Sequence, residues 1–328
     1  MKKQTIVRLS VLIGLLIFAF FVYKIGPVKI WENIKQISWQ NFLILMGLRF
    51  LYWVLRTINW KVIFEAYEGK TSLWDMYTAR MCSHAINQLT PSAQVGGEAA
   101  RVYLVNYPNK RVSLASVIVD KTIEFITVIV FIIIGVAMTI TRFTLPGKLK
   151  AIFIGAVVSA FLLLVFLLSK QKKGLFEWMV NALAKMKIHL KFFEKNKEKI
   201  KETDEYISDF YQKHPGTFVK AFLLYSLLIM LWVTEIHVTL VFIGAINISF
   251  LDSFLITVLG TLAFIFPLIP GSLGIYEATY VGLFALLGKG TSIGFTLVLI
   301  RRILALIWAG IGLLGMLKPF PGKPRRLE

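Results

Sequence analysis

The chain has 328 residues, 57% of them hydrophobic, a mean hydropathy of +0.70 and a formal net charge of +19. That apolar content exceeds the roughly 45–50% of soluble domains, which excludes an ordinary soluble enzyme and makes this an integral membrane protein. In such a protein Lys and Arg collect in cytoplasmic loops and meet anionic lipid headgroups, so the charge does not argue for nucleic acid.

The first apolar run, 6–22, follows Lys2 and Lys3 and contains Arg8, as a signal peptide would. Val22-Tyr23-Lys24 offers no small-residue cleavage pattern, so the run reads as a retained helix. Further spans are expected at 42–55, 125–141, 151–169, 218–233 and 293–317, each approaching the about 20 apolar residues that cross a bilayer. The one sizeable polar region, 170–216, is rich in Lys and Glu. Leu175, Trp178, Met179, Leu183 and Met186 recur in it at helical spacing, and it reads as a basic amphipathic segment on the cytoplasmic surface.

Topology follows from the basic residues. The amino terminus, the 170–216 loop and the tail with Lys318, Lys323, Arg325 and Arg326 all belong on the cytoplasmic face of a cell membrane. With 6–22 running outward and 42–60 returning, the stretch 73–105 must begin and end inside if 125–141 and 151–169 are to deliver the basic loop inside. By the same logic 250–287 must begin and end outside. Each of these stretches contains helix breakers: "NQLTPSAQVGGEAAR" has Pro91, Gly96 and Gly97, and "FPLIPGSLGIYEATY" has Pro267, Pro270, Gly271 and Gly274. The expected fold is therefore all-α and polytopic, with about six spanning helices and two oppositely oriented re-entrant hairpins. All lie in one membrane domain over 1–328, whose halves, about 42–141 and 218–317, are inverted repeats. Inverted repeats with broken helices are an architecture of secondary transporters, and irregular backbone at membrane depth must be buried in protein or line a watery cavity.

Charges inside apolar stretches are functional candidates by default. Here they include Arg49 and Arg56, Asp120 and Glu124, Glu235 and His237, Glu277, and Arg301 and Arg302, with Glu98 and Arg101 at the first break. Arg49 and Arg56 are two turns apart on one face, and Asp120 and Glu124 are one turn apart, which suggests a polar track. Lys121, Arg49 and Arg302 can alternatively snorkel to an interface. Arginine holds phosphate bidentately, and a helix starting after a glycine break offers free N–H groups to an anion. Arg56, Arg101 and Arg301, with the starts at Gly96-Gly97 and Gly271 to Gly274, suit the phosphate of a phospholipid or polyprenyl phosphate. Glu98, Asp120, Glu124 and Glu277 suit protons or a cationic headgroup, and Pro91, Pro267 and Pro270 are the helix breaks. No cofactor is expected. The lone Cys82 excludes a cysteine metal cage, and His84, His189, His214 and His237 lack paired spacing for a metal. No Walker loop or nucleophile triad spacing supports catalysis.

The pieces "NQLTPSAQVGGEAARVYLV", "RVSLASVIVDKTIEF" and "PLIPGSLGIYEATYVGLFALLG", in that order, resemble the membrane domain of the lysylphosphatidylglycerol synthase family, also called the flippase-like domain. The resemblance covers about residues 6–316. It implies a lipid translocase fold in which Gly96, Gly97, Glu98 and Arg101, then Pro270, Gly271, Gly274 and Glu277, line a central site with Asp120 between them. Full-length synthases of that family carry a soluble acyltransferase-like domain after the membrane part, and the sequence here runs out at Glu328, so aminoacyl transfer is not expected of this chain by itself.

The expected function is movement of an anionic or aminoacylated phospholipid, or a polyprenyl-phosphate-linked lipid, between leaflets. One alternative is the membrane subunit of a lipid-modifying enzyme, such as a phosphatidylglycerol lysyltransferase, acting with a separate soluble synthase or glycosyltransferase. Another is an ion or small-solute transporter. The spacing of Gly310 and Gly315 leaves homo-oligomerisation open.

Overall fold

The computed structural model describes residues 28, 35, 37–89, 95–142, 146–171, 178, 197–245, 247–261 and 275–317. The expected span 6–22, residues 172–177 and 179–196 of the expected 170–216 amphipathic segment, and the breakers Pro91, Pro267, Pro270, Gly271 and Gly274 lie outside these residues. The described residues form ten α-helices and no strand: α1 Trp39–Glu65, α2 Leu73–Leu89, α3 Val95–Leu104, α4 Lys110–Arg142, α5 Gly147–Gln171, α6 Lys197–Lys213, α7 Pro215–Phe242, α8 Phe250–Gly260, α9 Ile275–Leu286 and α10 Thr291–Met316.

Five of them, α1, α4, α5, α7 and α10, are long and apolar enough to cross a membrane. They coincide with the five expected spans that fall in the described residues, so the protein is an all-helical, multi-pass membrane protein. The 25 to 33 residues of these helices correspond to about 38–50 Å, more than the ~30 Å hydrocarbon core. By contrast the described parts of α2, α3, α8 and α9 have 17, 10, 11 and 12 residues, about 15–26 Å.

The chain forms two compact units. The first comprises the described residues of Met1–Thr57, Ser72–Asn106 and Leu228–Glu328; the second comprises Ile58–Thr71 and Tyr107–Leu227. In the first unit α2 and α3 pack on each other. Gly97 permits this contact: a Cβ there would lie 2.2 Å from the Ser83 carbonyl oxygen and 2.4 Å from Asn87 Oδ1, and that Oδ1 accepts the Gly97 N–H at 2.9 Å. Residues 87 and 97 lie symmetrically about the 90–94 connection, so the two helices are antiparallel. Helices α8 and α9 pair likewise, with Gly260 seated against the Tyr280 ring, twenty residues on across the 262–274 connection.

Local chemistry fixes the end of α7, the start of α8 and the end of α9. Gly244 (φ +73°) and Gly288 (φ +65°) each close a helix in the left-handed region. The N–H of the residue after each glycine bonds five residues back (Ala245 to the Leu240 carbonyl, Lys289 to the Phe284 carbonyl) and the glycine N–H three residues back (Gly244 to Val241, Gly288 to Ala285), the double bond pattern that satisfies terminal carbonyls. Ser249 and Asp252 form a reciprocal capping box at the start of α8. The Lys289 ammonium then donates to the Asn247 carbonyl and pairs with Asp252 at 3.3 Å, tying the α7–α8 turn to the α9–α10 turn.

Helix α10 packs on α2 through a cluster of Cys82, Ala85, Leu89, Ala309, Leu313 and Met316. The approach depends on Gly312, where a Cβ would sit 2.2 Å from the Met81 carbonyl oxygen, a backbone atom that cannot rotate away. Gly312→Leu is expected to destabilise the folded chain by about 3 kcal/mol, at or above the usual cost of overpacking, as read by the unfolding midpoint in detergent. Gly310→Leu, which meets nothing within 4 Å, should leave that midpoint nearly unchanged.

In the second unit the Asn109 side chain accepts the N–H groups of Arg111 and Val112 and so caps α4. Its amide donates to Tyr206 of α6, and Arg111 pairs with Glu202, so the polar α6 is clamped at the start of α4. Tyr67 stacks with Phe210 and meets the Tyr206 ring edge-on. Burial pushes the phenols of Tyr67 and Tyr211 well above their ordinary value, so both remain neutral in this contact. Ile126, Ile129 and Leu164 join α4 to α5 with Phe218 and Phe222 against them, while Ile152, Phe161, Leu162 and Leu163 of α5 face outward, as lipid-facing side chains do.

Candidate functional site: a buried arginine centre

In the first unit four arginines of two spanning helices converge. Arg49 and Arg56 project from α1, and Arg301 and Arg302 from α10. Arg49 forms an ion pair with Glu235 of α7, and Arg302 pairs with Glu277 of α9 at 2.5 Å. The side chains of Arg49 and Arg302 are about nine-tenths buried, so neither snorkels to a surface.

Aromatic rings line the centre. The Arg56 guanidinium donates to the Tyr52 hydroxyl at 2.8 Å and lies 5.7 Å from the centre of the Trp53 ring, and that ring in turn meets His84 of α2 at 4.5 Å. Arg301 is 7% exposed. Its guanidinium sits 4.9 Å over Trp232 and within 6 Å of the Tyr276 and Tyr280 rings, and it donates to the Tyr280 hydroxyl at 3.3 Å. Glu235 and Tyr52 lie within electrostatic reach of Arg301, as Arg49 and Arg56 do of His84, so these side chains form one cluster.

No carboxylate among the described residues forms an ion pair with Arg301. Its Nε, the Nε of Arg49 and the indole N–H groups of Trp53 and Trp232 are buried and have no hydrogen-bond acceptor among the described residues. A buried donor without an acceptor costs about 1–3 kcal/mol, more when charged. The cluster thus offers several donors and an excess of positive charge, the complement of an anion such as phosphate, which only accepts.

Of the candidates named from sequence, Arg56, Arg301 and Glu277 lie in this centre. Arg101 is fully buried on α3, where its Nε lies 3.2 Å from Glu98 one turn earlier, beside Gly96 and Gly97. Asp120 and Glu124 belong to the second unit. Asp120 accepts the Tyr225 hydroxyl at 2.7 Å, and Glu124 pairs with Lys121 at 2.9 Å across three residues of α4. The aromatic residues Tyr52, Trp53, Trp232, Tyr276 and Tyr280, with His84, were not singled out by sequence. The available signal was local: Tyr52 and Trp53 precede Arg56 by one helical turn, and Tyr276 and Tyr280 share a face with each other.

Comparison with known proteins places this chain in a family. The chain is 26% identical over 314 residues to a UPF0104 membrane protein of Methanothermobacter thermautotrophicus, covering 90% of each chain. It is 24% identical over 276 residues to a UPF0104 membrane protein of Pyrococcus horikoshii, covering 78% of each. No solved structure matches it. The model of the lysylphosphatidylglycerol synthase TM region matches residues 7–312, nearly the whole chain, and the chain belongs to that family.

Proposed function

We propose that this protein is a lipid translocase that takes an anionic headgroup into the arginine centre while the acyl or prenyl tails stay in the bilayer. The observation that carries the reading is Arg301, a buried guanidinium held among aromatic rings in a membrane unit, with no carboxylate ion pair among the described residues. A buried charge on a membrane-spanning helix is costly, and it is compensated when a phosphate docks.

The arrangement of helices supports an alternating-access device. The starts of α1, α2 and α4 at residues 39, 73 and 110 recur as the starts of α7, α8 and α10 at 215, 250 and 291, displaced by 176, 177 and 181 residues. Pro91 and Pro270, and likewise Glu98 and Glu277, are displaced by 179. Near-constant displacement through three helices and two sequence markers is what an internal repeat leaves. Each half then consists of a span, a pair of helices that we read as too short to cross, and a second span. We read the short pairs as hairpins entering from opposite faces, the two halves as inverted repeats of one domain, and both termini as cytoplasmic.

The test is movement between leaflets in proteoliposomes containing the purified chain, with labelled phosphatidylglycerol and a labelled polyprenyl phosphate followed separately. Faster transfer of at least one of them than in protein-free liposomes is expected. Equal rates for both lipids, with the chain shown to be folded and inserted, would overturn the translocase reading.

A further inference from the structure

We infer that the arginine centre admits a phosphate headgroup carrying no cationic group, so that an aminoacylated lipid is not its substrate; the inference rests on the translocase reading and narrows it. Proteins hold an alkylammonium group in two ways, with a carboxylate or with an aromatic face. Both are committed here. In the centre Glu235 is taken by Arg49 and Glu277 by Arg302. The rings of Trp232, Tyr276 and Tyr280 are turned toward the Arg301 guanidinium.

Of the other acids first considered for a cationic group, two are paired with a cation and the third is bonded to a phenol. Glu98 is beside Arg101, Glu124 pairs with Lys121, and Asp120 accepts from Tyr225. An ammonium arriving at the centre would displace a guanidinium from a buried carboxylate or stand next to the excess positive charge. A phosphate meets the opposite situation, because Arg301 and the indole of Trp232 present buried N–H groups without acceptors among the described residues. Such a site discriminates by repulsion of the wrong charge as much as by attraction of the right one.

A phosphate could arrive as a lipid headgroup or as a free ion, and equilibrium binding separates the two. The full chain in nanodiscs would be titrated with dihexanoyl phosphatidylglycerol, with its lysyl ester and with inorganic phosphate, reading tryptophan fluorescence. Phosphatidylglycerol is expected to bind about tenfold or more tightly than the lysyl ester, because like charges in a desolvated site are strongly disfavoured. It should also bind more tightly than inorganic phosphate. Arg301→Lys keeps the charge but loses the planar fork, and should weaken phosphatidylglycerol binding about tenfold while preserving the preference against the lysyl ester.

Equal or tighter binding of the lysyl ester to the wild-type chain overturns the inference whatever the variant does. Absence of phosphatidylglycerol binding also overturns it, and inorganic phosphate matching the lipid overturns the assignment to a lipid headgroup. If the binding preference is found but no lipid moves between leaflets, the translocase reading fails and the charge preference of the site stands.

Discussion

Glu235→Leu is expected to destabilise the folded protein by about 3–5 kcal/mol, the cost of removing one partner from a buried ion pair, whereas Arg49→Leu should cost clearly less. The asymmetry follows from who remains. Without Glu235, Arg49 loses its ion-pair partner and Arg301 loses the carboxylate within its electrostatic reach, so two buried guanidinium groups are left uncompensated. Without Arg49, Glu235 still has Arg301 nearby and only one excess charge is removed from a positive cluster. The double variant Arg49→Leu/Glu235→Leu should recover part of the loss seen in Glu235→Leu, since no carboxylate or guanidinium is then left half-paired at that position. Unfolding midpoints of the three variants in one detergent check this. Equal losses for the two single variants would mean that Arg49 and Glu235 matter only to each other and that Arg301 is compensated elsewhere.

Elements were more legible in the sequence than their partners. Every described spanning helix was visible as an apolar run, because a bilayer demands about 20 such residues whatever the tertiary context. The boundaries shifted where polarity hid a helix. The span expected at 125–141 begins at Lys110, since Asp120, Lys121 and Glu124 interrupt the apolar run but not the helix; Lys121 pairs with Glu124, and Asp120 accepts from Tyr225. Helix α7 begins at Pro215, a residue suited to a first turn, and not at 218. The contact of α2 with α3 and of α8 with α9 is seen in the described residues, while Pro91 and Pro270, expected as the breaks between them, lie outside those residues.

The site was legible only in part. Arg56, Arg301 and Glu277 stood out as charges in apolar surroundings, a property each residue carries alone. That Arg49 meets Glu235 across 186 residues, or that Trp232 of α7 lies under Arg301 of α10, depends on how helices pack, and no local pattern encodes it. The five aromatic residues looked like ordinary membrane filling for the same reason. Aromatic side chains are common in spans, and their role appears only when a guanidinium is found against their faces.

Arg301→Gln is expected to lower lipid transfer in the proteoliposome assay by about 100-fold or more, corresponding to the roughly 2–5 kcal/mol that a buried, hydrogen-bonded charge contributes to holding its opposite. Glutamine is polar and neutral but shorter, so the substitution removes the charge at the cost of a modest cavity, and it relieves the cost of burying a cation that no carboxylate among the described residues contacts as an ion pair. The variant should therefore unfold no earlier than the wild-type chain. That combination, transport lost with stability kept or raised, separates a substrate-binding arginine from one that only fixes helix packing. Trp232→Ala adds the second arm: it leaves the charge in place and removes the ring 4.9 Å beneath it. Loss of that cation–π contact, about 1–2 kcal/mol in a desolvated site, should cost about tenfold in transfer. If Arg301→Gln instead unfolds earlier while any folded fraction transports normally, Arg301 is a structural cation, and the headgroup must be held by Arg56 or Arg101.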